Sequence, residues 1–301
     1  MKPTLPTLLR LTLAGLLFTG VVHAQAAAQP AKAPQPPKIS TPPASPAGTL
    51  TQRVGFTDVE ISYARPGVKD RRIFGGLVPH GEVWRTGANT STKVTFSTPV
   101  TIDGRELPAG SYALFSIPGP GEWTVIFNRV VGEWGAYSYK EENDALRVKV
   151  KPVTLSQPVE TFTIDINDIR IESATLNLSW ERTKVPVPFK VEVIKPVLAQ
   201  IDEAMASGAA LPASAYFQAA MFYFDNGLDL NKARAWVEEA TKDENPRFFM
   251  LHGKARILAK LGDKAGATAA ATQSIAAAEK QGGPVGAEYK RLNEALLASL
   301  K

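Results

Sequence analysis

From Leu50 to about Val193, apolar side chains recur at every second position in short runs broken by Gly, Pro, Asn and Asp. That period puts one face of each run on a core and the other in water, so the segment is predicted to be built of β-strands. Lys93 to Phe96, Tyr112 to Ile117, Trp123 to Phe127 and Arg147 to Val150 carry the alternation. So do Phe162-Ile164-Ile166, Leu176-Leu178-Trp180 and Val185-Val187-Phe189. Ile102-Asp103-Gly104-Arg105 sets an Asp-Gly turn between two such runs. About eight to ten strands with few helical windows predict a mainly β domain, either an antiparallel sandwich or a barrel-like sheet.

After Pro196 the period changes to that of Ala-rich helices, which predicts an all-α tail over 196–301. Ala233 and Ala267 stand 34 positions apart, and the same offset relates Phe217 to Leu251, Met221 to Ala255, Phe224 to Leu258, Asp229 to Asp263, Val237 to Ala271 and Ala240 to Ser274. Large and small apolar positions at that spacing resemble the tetratricopeptide repeat, whose small residues let paired helices approach closely. A final helix with Pro284 in its first turn is expected to cap the stack through Val285, Tyr289, Leu292 and Leu296. Such a tail either docks onto an envelope protein partner or braces the β domain.

The amino-terminal residues follow neither pattern. Lys2 and Arg10, an apolar run from Leu11 to Val22, and Val22-His23-Ala24 read as a secretory signal over 1–24. The run is short of the roughly 20 residues that span a bilayer, so cleavage is expected, with no transmembrane segment left afterwards. Residues 25–48 are Ala, Pro, Gln and Ser with almost no large apolar side chain, and are expected to be a disordered, partly extended linker. The expected divisions are therefore 1–24, 25–48, 49–193 for the β domain and 196–301 for the tail. Close spacing between Val191 and Pro196 predicts rigid docking of tail on β domain. These signals imply export, to a periplasm or the extracellular space.

The sequence has no Cys, which excludes disulfides, thiolate metal sites and thiol catalysis. Its formal charge of +5 includes Lys2 and Arg10, and no block of like charge or basic stripe interleaved with aromatics points to nucleic acid.

One stretch has neither period. Tyr63 to Thr92 gathers Arg65, Arg71, Arg72, Arg85 and Trp84 among five glycines and two prolines. Gly and Pro at this density build a loop system, and loops of this kind commonly carry function. The series Tyr63-Ala64-Arg65-Pro66, Arg72-Ile73-Phe74-Gly75-Gly76-Leu77-Val78-Pro79 and Val83-Trp84-Arg85-Thr86-Gly87-Ala88-Asn89 resembles the bacterial domain of unknown function 2911. Ala109 to Phe115, Trp123 to Asn128 and Trp134-Gly135-Ala136-Tyr137 continue the likeness, over about 50–192. The resemblance implies an exported β-rich domain and no known activity.

Arg65, Arg71 and Arg85 are planar forks suited to carboxylate or phosphate, with Asn89 as an orientable donor and acceptor and Trp84 as a wall. Asp70, Trp134 and Tyr137 are possible additions. These residues predict a site for an anionic or sugar-like ligand. The competing reading is a buried polar network in which Asp70 pairs with Arg85 or Arg65.

Catalytic readings are weaker. His80-Gly81-Glu82 has zinc-motif spacing but no Cys partners, so no metal and no cofactor is expected. A hydrolase of sugars or esters would use an acid among Asp70, Glu82 and Asp165, yet nothing in the sequence sets two carboxylates face to face. Asp168 and the Glu141-Glu142-Asp144 turn read as solvated. Ser111 and Ser116 lack a nucleophile elbow, Gly119-Pro120-Gly121 reads as a hairpin turn, and Asn89-Thr90-Ser91 matches a glycosylation pattern without a eukaryotic context.

Overall fold

The structure is a computed structural model that describes residues 40–301. The expected signal segment and most of the expected linker lie outside the described residues. Two antiparallel sheets come first, then six helices.

The larger sheet has strand order β1-β2-β3-β6-β7-β8, formed by β1 (Ala47–Val54), β2 (Thr57–Ala64), β3 (Thr92–Phe96), β6 (Gly110–Ile117), β7 (Trp123–Asn128) and β8 (Asp144–Val150). The smaller has order β5-β4-β10-β9, formed by β4 (Val100–Ile102), β5 (Arg105–Leu107), β9 (Val153–Asn167) and β10 (Ser173–Lys190). β1 starts inside the segment read as linker. Ile102 pairs with Arg105, and Asp103 and Gly104 both take positive φ, of 52° and 71°. That is the two-residue turn whose twist matches a hairpin.

The inward positions of both sheets form one core, with Phe96, Trp123 and Phe127 from the larger sheet and Phe162, Trp180 and Phe189 from the smaller. Phe96 and Phe189 meet at a ring separation of 5.9 Å. Two facing sheets sharing one core make a sandwich, which decides between the two expected β architectures. The runs ending at Trp180 and beginning at Val185 belong to one strand, β10. Its ladder with β9 shifts register around Glu181, which sits at φ 52°. Pro186 and Pro188 follow after the last β9 pair, at Lys184, and before the first β4 pair, at Phe189, where their missing N–H groups leave no ladder bond broken.

Tyr63 links the two sheets. Its hydroxyl accepts from Ile164 N at 3.0 Å and donates to Ile164 O at 3.3 Å. Beyond β2 the chain crosses onto β9: Phe162 N donates to Pro66 O, Val68 N donates to Glu160 O, and Gly67 bridges Thr161. That crossing starts the loop system of the candidate site.

The helices are α1 (Ile194–Ala206), α2 (Ala213–Asp225), α3 (Leu230–Ala240), α4 (Phe248–Lys260), α5 (Lys264–Gln281) and α6 (Gly283–Ser299). From α2 onward each packs on the next in the chain. Asp229 caps α3 and Asp263 caps α5 through backbone N–H groups, as their matched positions in the sequence offset require. Ala233 and Ala267 are fully buried.

The stripe expected on α6 is displaced. Val285 is 53% and Leu292 43% exposed, while Gly286 and Asn293 are buried. Gly286 has no side chain because a Cβ there would stand 2.4 Å from Ala278 O, so the helix turns its smallest residue toward α5. Asn293 is satisfied internally: Nδ2 donates to Ser274 Oγ and Tyr289 O, and Oδ1 faces His252 Nδ1 at 2.9 Å. No helix among the described residues is long and apolar enough to cross a membrane.

Candidate functional site

The loop between β2 and β3 is held at several points. Arg71 donates from Nε to Val68 O and from Nη2 to Gly67 O. A tight turn follows, in which Gly75 N donates to Val78 O and Val78 N to Ile73 O. Trp84 then exchanges both backbone hydrogen bonds with Ser116 on β6, at 2.7 and 2.9 Å. Its indole stacks on Trp180, with centroids 5.8 Å apart and planes 17° apart, and donates to Gly87 O at 3.0 Å.

This anchoring leaves a cavity of about 350 Å³. Arg71, Trp84, Arg85 and Asn89 line it, with Lys69 beside them and Trp180 behind. Among the described residues no carboxylate lines it, and neither Lys69, Arg71 nor Arg85 forms an ion pair. Arg85 Nε is buried and has no hydrogen-bond partner. Burial holds the Arg85 guanidinium below its usual range, and the neighbouring Tyr137 acts in the opposite sense. The lining therefore carries three cations and two indoles, and Glu160 lies next to it, its Oε1 accepting from Lys69 N at 3.0 Å.

The backbone here is strained. Lys69 (φ 49°), Asp70 (57°), Thr86 (53°) and Asn89 (61°) take the left-handed region without being Gly, and Thr86 is β-branched. Thr86 is held there by a 2.9 Å contact between its hydroxyl and that of Ser116, and by Thr92 Oγ1 donating to its carbonyl. Strain of this kind persists only where surrounding structure over-determines it, and it gathers at functional sites.

The remaining expected residues fall elsewhere. Arg65 lies outside the cavity: Nε donates to Phe162 O, Nη2 to Thr163 Oγ1, and the guanidinium sits 5.8 Å from the Tyr63 ring. It ties the sheets together. Asp70 is exposed, outside the cavity and unpaired with Arg65 or Arg85. Trp134 and Tyr137 are 66% and 87% exposed, and the loop that carries them adjoins the site through the backbone of residues 133–135. Thr90 bridges Trp134, Ser91 N donates to Glu133 O, and Gly135 N donates to Asn89 O.

Sequence reasoning passed over Lys69, which resembles any solvated lysine. It also passed over Ala44 and Ser45, which line the cavity from the end of the supposed linker, and Trp180, which reads as an ordinary core residue. Of the other candidates, Glu82 and His80 are exposed. Asp165 lies outside the cavity, its Oδ1 accepting from Asn167 and Asn177. Asp144 is engaged by Tyr139, Asn128 and Arg147.

The fold and the cavity define a two-sheet β domain bearing a cationic, tryptophan-walled site, followed by a helical tail. Residues 45–189 match the model of a protein family of unknown function, DUF2911. The match stops before α1, so the helices lie outside it. No curated protein and no solved structure matches the chain.

Proposed function

We propose that this domain is a binding module for a small anion, held in the cavity by Arg85 with Lys69 and Arg71 beside it and Asn89 supplying a further hydrogen bond. The observation that carries the reading is the buried, unpartnered Nε of Arg85. A buried cationic donor left without acceptor is costly, and an anion that reached it from the cavity would relieve that cost. Enzymatic hydrolysis by paired carboxylates has no comparable support, because none of Asp70, Glu82 and Asp165 lines the cavity. Export to the cell envelope, read from residues 1–24, belongs to the same proposal.

The test is thermal unfolding with phosphate, sulfate, acetate and citrate, on wild type and Arg85→Gln. An anion at a hundred times its dissociation constant adds about 2.7 kcal/mol. Stabilisation of wild type alone supports the reading; equal shifts in both proteins, or none, overturn it.

A second reading places a partner surface on the helical tail. It is favoured by a groove of about 1310 Å³ between α4, α5 and the loop before α4, where Phe248, Phe249, Arg247, Lys254 and Lys280 meet. Changed cross-linking to envelope proteins in a Phe249→Ala strain would test it.

A further inference from the structure

Beside the cavity lies a feature that anion binding alone does not use. Trp134 and Tyr137 are large, flat and mostly exposed, on a loop that is fixed in place. One end of that loop is paired through its backbone to Asn89, Thr90 and Ser91, and Asn89 itself lines the cavity. The other end is tied by side chains: Tyr139 donates to Asp144 Oδ2 at 2.7 Å, and Asn128 donates to Asp144 Oδ1 at 2.8 Å and to Lys140 O at 3.1 Å.

The Tyr137 ring is itself positioned. Gly135 has φ 70°, and a Cβ added there would stand 2.6 Å from Tyr137 Cε2, so the ring rests against bare backbone. Rings held open to water on an anchored loop are a prepared contact surface, since an aromatic side chain gains far more by burial. Their flat apolar faces and polar edges suit a pyranose ring, which presents C–H groups on its face and hydroxyls around its rim. Asn89 and the exposed Thr90, between rings and cavity, offer amide and hydroxyl partners for those hydroxyls.

Resting on the anion-binding reading, we infer that the ligand is an acidic saccharide: its acid group enters the cavity toward Arg85, Lys69 and Arg71, and an adjoining sugar ring stacks on Trp134 and Tyr137. The shared chemistry of uronate and sulfated sugars is an anionic group on a pyranose, and the experiment separates the two.

Full-length mature protein is titrated calorimetrically with oligogalacturonate, its carboxyl-reduced neutral form, a sulfated galacto-oligosaccharide, adenosine monophosphate and inorganic phosphate. Wild type, Arg85→Gln, Trp134→Ala and Tyr137→Ala are compared, and circular dichroism confirms folding. Trp134 and Tyr137 are exposed, and alanine at 134 keeps the backbone bridge to Thr90. The expected result is binding of one acidic oligosaccharide and none of the carboxyl-reduced neutral one. Each aromatic truncation should weaken that binding about tenfold while leaving phosphate affinity unchanged. Arg85→Gln should lose saccharide and phosphate alike. Whichever acidic saccharide binds identifies the acid group.

Phosphate binding that depends on Arg85, with both acidic saccharides failing or unaffected by the aromatic truncations, overturns this inference and leaves the anion site standing. Tighter, aromatic-dependent binding of adenosine monophosphate also overturns it, in favour of a nucleotide. Failure of every anion, phosphate included, overturns both readings.

Discussion

Glu172 and Ile194 join the β domain to the helical tail: Oε1 of Glu172, in the turn between β9 and β10, accepts from Ile194 N at 2.7 Å and from Val193 N at 2.9 Å. Helix α1 has no side-chain cap of its own, since its N-cap is Val193. A residue from a distant turn supplies one. Val193 is also 4% exposed within the β core, and Gly55 leaves it room, because a Cβ at Gly55 would stand 2.3 Å from Val193 Cγ2.

Glu172→Ala is therefore expected to cost about 1 kcal/mol and to loosen the junction rather than unfold either part. Limited proteolysis checks this. Wild type should resist cleavage between Val191 and Pro196, and the variant should be cut there faster, with the two halves surviving. Free cleavage of the wild type at that point would contradict the rigid junction.

Arg85 should behave as a residue kept at the expense of stability. It is partly desolvated and lacks an acceptor among the described residues, so Arg85→Gln removes a poorly compensated charge. The ligand-free variant is expected to be as stable as wild type, or more stable by up to about 1 to 2 kcal/mol. Urea denaturation in buffer without multivalent anions measures this. A loss of several kcal/mol would make Arg85 a structural residue.

Tyr139 sets an alkaline limit. Burial, followed by its hydrogen bond to Asp144, raises its pKa well above the usual value of 10.0. The folded protein therefore holds the phenol proton at pH values where the unfolded chain has released it. Stability from this source is fully present below pH ~10 and falls as pH rises beyond it, by at most about 1.4 kcal/mol per pH unit and less with solvent screening. Melting curves from pH 9 to 11.5 should fall more steeply for wild type than for Tyr139→Phe. Parallel curves would contradict the coupling.

The two periods in the sequence read correctly because each reports a repeated local geometry. Alternation marked the strands of both sheets, and Asp103-Gly104 marked its hairpin because few residue pairs accept two positive φ angles. Pro186 and Pro188 concealed the continuity of β10, since whether a proline interrupts a strand depends on which neighbours are present. On α6 the apolar stripe pointed to the wrong face, because Asn293 is buried by partners on α4 and α5 that no local pattern reveals.

The site was legible where residue type alone marked it: Arg71, Trp84, Arg85 and Asn89 all line the cavity. Arg65 and Arg85 look equivalent in sequence and have opposite fates, because the acceptors that satisfy Arg65 lie on Phe162 and Thr163, nearly a hundred positions along the chain. Trp180 reaches the cavity by the same kind of long-range packing.

Gly87 offers the sharpest test that the shape of the cavity matters. Its φ of 150° is rarely adopted by residues with a side chain, and a Cβ there would stand 3.0 Å from Thr92 Oγ1 and 3.1 Å from Ala64 O. Its carbonyl accepts the indole N–H of Trp84, so a shift of this residue is passed to the tryptophan wall. Gly87→Ala is expected to cost about 1 to 3 kcal/mol through backbone strain and to weaken anion binding beyond what lost stability explains. Gly81→Ala is the matched control, because Gly81 also has positive φ but nothing stands within 4 Å of its Cβ, and it lies outside the cavity. Both variants should lose stability, and Gly87→Ala alone should lose affinity when titrated well below its melting temperature. Equal affinities in the two would mean that the Trp84 wall does not shape the bound state.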